Sequence, residues 1–150
     1  MLPGEIKIRC HHLVIGDGEI IIIMHKFCAA NECFQVTEGR LTPLQCAEEQ
    51  FAAYNERNLP RFLACFAEDV QGVRLSDMMP LLSGKAAYGA FYATHRFVHE
   101  GLRAELVNRI VVGNTVIDHE LIHGIAPEPI ETAVLFVIED GLIARVFSIP

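Results

Sequence analysis

The densest run of acid–base side chains in the sequence is Asp118-His119-Glu120. On a strand these three alternate, so His119 shares a side with Ile117 and Leu121 while Asp118 and Glu120 take the other. Its apolar companions put His119 on the pocket side, where an imidazole can act as acid, base or donor near neutral pH. The plainer reading is a core histidine bonded to a neighbour. Asp118 and Glu120 are then expected at the surface or in a dimer contact. Gln50 and Tyr54 stand four apart on a helical stretch and so share a face. Arg74, between Val73 and Leu75, could hold a carboxylate bidentately, or could close an ion pair at a sheet edge with Glu131. Tyr92 lies on the broad aromatic face of a later helix. The candidate site is therefore His119 and Glu131 as catalytic groups, with Gln50, Tyr54, Arg74 and Tyr92 against the ligand. Amide, phenol and guanidinium together suit a carboxylate or an enolate-like oxygen, and an arginine cannot remove a proton at neutral pH.

A second group, Cys10, His11, His12, His25, Cys28 and Cys33, holds residue types that ligate zinc, but its spacing matches no zinc pattern. No metal site and no cofactor are expected. There is no phosphate loop, no G-x-G-x-x-G, no G-x-S-x-G and no H-E-x-x-H. Twelve Lys and Arg face 19 Asp and Glu, a net charge of −7. That balance disfavours phosphate-held nucleic acid and anionic lipid as partners. The longest apolar run, Ile20 to Met24, falls far short of the roughly 20 residues of a membrane span. Five cysteines without a secretory signal suggest reduced thiols and a cytoplasmic setting.

The elements that must position these residues fall into two parts. Residues 1 to 40 read as an N-terminal extension, with two strand-like runs, Ile6 to Ile15 and Glu19 to Lys26, about an Asp17-Gly18 turn. From Leu41 the pattern is orderly. Thr42, Pro43 and Gln45 make a capped helix start, with Leu44, Ala47, Phe51 and Tyr54 as its apolar stripe. A short helix spans about Pro60 to Phe66, Val70 to Leu75 is a strand, Met78 to Gly84 a loop, and Lys85 to His99 a third helix. Four strands follow: Leu102 to Val112, Thr115 to His123 across a Gly113-Asn114 turn, Ile130 to Ile138, and Leu142 to Ile149. Helices followed by a meander make an α+β plan, in which the sheet curls around the helices and leaves a cavity at its open end. Apolar residues on both faces of the first hairpin (Ala104, Leu106 and Ile110; Val107 and Val111) point to a homodimer through the sheet.

The stretch from Leu41 to Ile149 resembles the nuclear transport factor two-like superfamily, on its ketosteroid isomerase and SnoaL-like branch. The resemblance rests on Gln50-Phe51-Ala52-Ala53-Tyr54-Asn55, Leu59, Phe62 to Val70, Gly84 to Tyr88, Asn108 to Gly113, Val116 to Glu120 and Ile138 to Val146, in that order. It implies a cone of curved sheet around three helices, usually dimeric through the sheet, with an apolar pocket. Ketosteroid isomerases place a tyrosine where this chain has Gln50, a general-base aspartate at Arg74, and a second donor aspartate near Thr132 or Ala133. The isomerase constellation is thus not met, and Glu131 is the nearest carboxylate for cyclase-type chemistry. The resemblance implies a small-molecule-binding protein, or an isomerase, lyase or cyclase acting on a small apolar or acidic molecule. The alternative is a non-catalytic interaction or dimerisation module.

Overall fold

The computed structural model describes the backbone of residues 9–15 and 19–25 and the whole of residues 39–149. Contacts divide the chain into two units, 1–37 and 38–150. In the first, β1 (Arg9–Ile15) and β2 (Glu19–His25) pair antiparallel from Arg9 opposite His25 to Ile15 opposite Glu19. The Asp17-Gly18 turn and the side chains of the Cys/His group lie outside the described residues.

The second unit begins with α1 (Pro43–Asn55). The expected capping box is present: the Gln45 amide N–H donates to Thr42 Oγ1 at 3.2 Å and the Thr42 N–H to Gln45 Oε1 at 2.9 Å. The buried stripe is Cys46, Ala47, Gln50, Ala53 and Tyr54, while Leu44, expected inside, is exposed. α2 (Leu59–Ala64) is shorter than expected, because Phe66 already opens β3 (Phe66–Arg74) by pairing parallel with β8. The expected loop at 78–84 is instead an edge strand, β4 (Met79–Ser83). Pro80 within it is tolerable because an edge strand need not donate on its outer side.

Helix α3 (Lys85–His95) stops four residues before the expected His99. The Phe97 N–H turns back to the Tyr92 carbonyl at 2.8 Å, and its ring enters a cluster with Tyr54, Phe62 and Tyr92 at 5.5–5.7 Å between centroids. Four strands then follow as expected: β5 (Arg103–Val112), β6 (Thr115–His123), β7 (Ile130–Glu139) and β8 (Leu142–Ile149). Asp140 and Gly141 both take positive φ in the two-residue β7–β8 turn, as the strand twist there demands.

The sheet order is β4-β3-β8-β7-β6-β5, and only the β3–β8 pairing is parallel. The result is the α+β cone, a curved open sheet with the three helices against its inner face. Fully buried Phe62 and Phe66, 4.8 Å apart, centre the core. Asn55 ties α1 to edge strand β5 by donating to the Ala104 carbonyl at 3.1 Å and accepting from its N–H at 2.7 Å. No described helix is long and apolar enough to cross a membrane.

Candidate functional site

Strand β6 alternates in burial along its whole length, with Val116, Asp118, Glu120 and Ile122 inside. This corrects the expected phase. Asp118 and Glu120 face the cone interior, and His119 turns away from it with Ile117 and Leu121. The pairing confirms the face, since Glu120 lies opposite Thr132 and Asp118 opposite Val134, both on the inner side of β7.

Glu120, Ile122, Thr132, Val134 and Ser148 form the sheet wall of a cavity of about 160 Å³. Helix α1 contributes Gln50, Phe51 and Tyr54 to the opposite wall, α3 contributes Tyr88 and Tyr92, and its C-cap residue contributes Arg96. Gln50 and Tyr54 lie on one face of α1, as their spacing of four predicts, and Tyr92 lines the same cavity from α3. Arg74 is not on this cavity. It is exposed, donates to Asp77 Oδ2 at 3.1 Å, and lines a side groove of about 260 Å³. His119 and Glu131 meet each other at 2.8 Å on the outer face of the sheet and do not reach the cavity.

Glu120 is 7% exposed, and no described side chain hydrogen-bonds to its carboxylate. Burial, helped by the nearby Asp118 charge and opposed by Arg109, pushes its pKa from 4.5 up to about 7. Asp118 is fully buried and is held by the Arg109 fork, Nε to Oδ1 at 2.6 Å and Nη2 to Oδ2 at 2.7 Å. These two residues lie directly opposite on β5 and β6. The Arg109 guanidinium also stands 5.9 Å from the Phe51 ring centroid. A paired, charge-assisted carboxylate thus sits one inner-face step from an unpaired one.

The other polar groups of the cavity are donors or unsatisfied. Burial raises the phenol pKa values of Tyr54, Tyr88 and Tyr92, the last to about 12, so all three keep their protons. No described acceptor takes a bond from their hydroxyls. Gln50 Oε1 is buried without a partner, a condition that costs about 1–3 kcal/mol unless a ligand or water supplies a donor. The Tyr88 hydroxyl lies over Gly72, where a Cβ would run into it. A carboxylate with a pKa near neutrality can take a proton, and protonated phenols on the same cavity can donate to the oxyanion that results.

Sequence reasoning missed Glu120, the Asp118–Arg109 pair, Arg96 and Tyr88. One signal was available. Counting back from the Gly113-Asn114 turn sets Arg109 opposite Asp118, an opposed charge pair that marks those two as facing the same side.

The family profile described as "SnoaL-like domain" matches residues 47–146. No curated protein matches the chain. Among solved structures, the chain is similar to a candidate ketosteroid isomerase from Kribbella flavida DSM 17836, with a TM-score of 0.59 and 22% identity, covering 69% of this chain and 73% of that one. It is similar to a candidate polyketide cyclase from Sinorhizobium meliloti, with a TM-score of 0.61 and 18% identity, covering 73% of this chain and 100% of that one. A computationally designed 17-OHP binder also shares the fold, with a TM-score of 0.62 and 18% identity, covering 73% of this chain and 94% of that one. Profile, strand order and helix placement agree, and the chain belongs to the SnoaL-like domain family.

Proposed function

We propose that the protein binds a small, largely apolar or acidic carbonyl compound and moves a proton on it, with Glu120 as the base and the Tyr54 and Tyr92 phenols as donors to the developing oxyanion. The observation that carries this reading is the burial of Glu120 on the cavity wall with no side-chain partner and a pKa near 7. A structural carboxylate so buried is ordinarily paired, as Asp118 is. The chemistry is of isomerase, lyase or cyclase type. It differs from that of a ketosteroid isomerase in drawing its base from β6, with Gln50 and Arg74 at two of the positions that enzyme uses. A cavity of about 160 Å³ compares with the roughly 150 Å³ that takes a benzene ring, so the part of the substrate that meets Glu120 is about the size of one ring.

The polar lining supports an enzyme over an interaction module. For assembly we read a homodimer through the outer sheet face, where Val107 and Ile110 are each 50% exposed. Buried free thiols at Cys46 and Cys65 are in keeping with a reducing, cytoplasmic setting.

The test is proton exchange. Small cyclic ketones and enones are incubated with the protein in D2O, and loss of α-proton signal is followed by NMR. The wild type should exceed Glu120→Gln by about 10² or more, with a rate that rises as pH passes through about 7 and then levels. No exchange above buffer with any probe, or an unchanged rate in Glu120→Gln, refutes the reading. A Δ5-3-ketosteroid should not be turned over.

A further inference from the structure

We infer that the substrate of this cavity carries a carboxylate, and that Arg96 is the residue that seats it. This rests on the proton-transfer reading for the other end of the molecule but on separate observations for this end. Among the described residues, Arg40, Arg61, Arg74, Arg103, Arg109 and Arg145 each reach a carboxylate. Arg57 reaches the backbone carbonyls of His99 and Glu100. Arg96 alone of the described arginine side chains meets no acceptor oxygen. The chain is not short of acids, with 19 against 12 basic residues, so this guanidinium is kept apart from them by its position.

That position is the junction of the internal space. Arg96 and Ser148 line the main cavity and two adjoining grooves of about 260 Å³ each. The guanidinium stands 5.6 Å from the Phe91 ring centroid, which restrains it while leaving its N–H groups unused. Its charge favours ionisation of the nearby Tyr54 and Tyr92 phenols, against the burial that opposes it. The cation and the base stand on different walls of the cavity, Glu120 on the sheet and Arg96 at the end of α3. Ile122, the next inner-face residue after Glu120, borders the groove that Arg96 also borders.

Arg96 and Glu120 line the same cavity, so an anion bound at Arg96 leaves the rest of a small molecule inside the space that Glu120 also lines. Tyr54 and Tyr92, which feel the charges of both Arg96 and Glu120, line the cavity with them. A planar fork recognises a carboxylate through two parallel bonds. The substrate class is a keto or enone acid built on a small ring, its carboxylate at Arg96 and its carbonyl turned toward the phenols.

The experiment is calorimetric titration of the full chain at pH 6 with 4-acetylbenzoate and its uncharged twin, 4-acetylbenzamide. The wild type should bind the acid at least tenfold more tightly than the amide. Arg96→Gln should bring the two within about twofold while leaving the amide affinity unchanged. Arg96→Lys, which keeps the charge and loses the fork, should fall between and also decides the matter if the glutamine variant does not fold. Arg74→Gln should keep the tenfold ratio. A ratio near one in the wild type, no binding of either probe, a preference that survives in both Arg96 variants, or one lost in Arg74→Gln overturns the inference. Glu120→Gln separates the two readings. An Arg96-dependent acid preference in a protein that exchanges no protons refutes the Glu120 chemistry and leaves the carboxylate seat standing. Proton exchange without acid preference does the reverse.

Discussion

Replacing Glu120 by Gln should make the protein more stable at alkaline pH and hardly change it in acid. The carboxyl titrates near 7 in the fold, against 4.5 when unperturbed. Ionising it in place therefore costs about 3 kcal/mol more than ionising it in the open chain. The sign follows from proton counting. Between these two values the folded state holds the proton and the unfolded state releases it, so stability is full below about 4.5 and declines as pH rises through about 7. Glutamine has nearly the same shape and no charge to desolvate. Urea unfolding of wild type and variant at pH 5 and pH 8 isolates the effect, because every other titrating group is common to both. At pH 5 the two should agree within about 1 kcal/mol. At pH 8 the variant should lead by about 2–3 kcal/mol, which for a domain of this size is on the order of 10 °C in midpoint. A wild-type-to-variant difference that stays constant between the two pH values refutes the argument, for it would mean that Glu120 ionises in the fold as easily as in water.

Arg109→Ala should destabilise by about 3–5 kcal/mol, read by the same denaturation, since it strands the buried Asp118 carboxylate; a loss below 1 kcal/mol would mean the pair is solvated. Gly72→Ala should cost about 1–3 kcal/mol by driving a methyl group into the Tyr88 hydroxyl, and Tyr88→Phe in the same chain should recover most of it; additivity of the two changes counts against that contact. Light scattering at tens of micromolar should give the mass of a dimer, and introducing a charge at Ile110, 50% exposed on β5, should give a monomer. A chain beginning at Gly39 should melt within about 10 °C of the full protein, as the core of the second unit is drawn from residues 46–143; a larger fall means that residues 1–38 support that core.

The order of elements could be read from the sequence because it depends on local signals. The Thr42 cap, the Gly113-Asn114 and Asp140-Gly141 turns and the strict alternation of β6 each act within a few residues. Where the reading failed, a distant partner decided. Phe66 is strand and not helix because β8 lies beside it, Met79–Ser83 is a strand because β3 offers an edge, and α3 stops early because Phe97 has rings to join. Gln50, Tyr54 and Tyr92 were found because helical spacing sets their face. Glu120 was missed because both parities of β6 carry apolar residues, Val116 and Ile122 on one and Ile117 and Leu121 on the other. Hydrophobicity alone then chose the wrong side.

That ambiguity is also a property of the folding landscape. A slip of β6 by one residue against its neighbours would exchange Val116 and Ile122 for Ile117 and Leu121 inside, a nearly even apolar trade, and would release two carboxylates to water, which their hydration favours. The native phase is held by the short Gly113-Asn114 turn and by Arg109, which recognises Asp118 only in the correct register. β6 is therefore a frustrated strand, whose local preference opposes its global placement. Selection for stability alone would drift positions 118 and 120 toward aliphatic residues and yield a sturdier protein with a mute cavity. On the proposed function, relatives that move no proton should be recognisable by that pair of replacements, made together with loss of the arginine at 109.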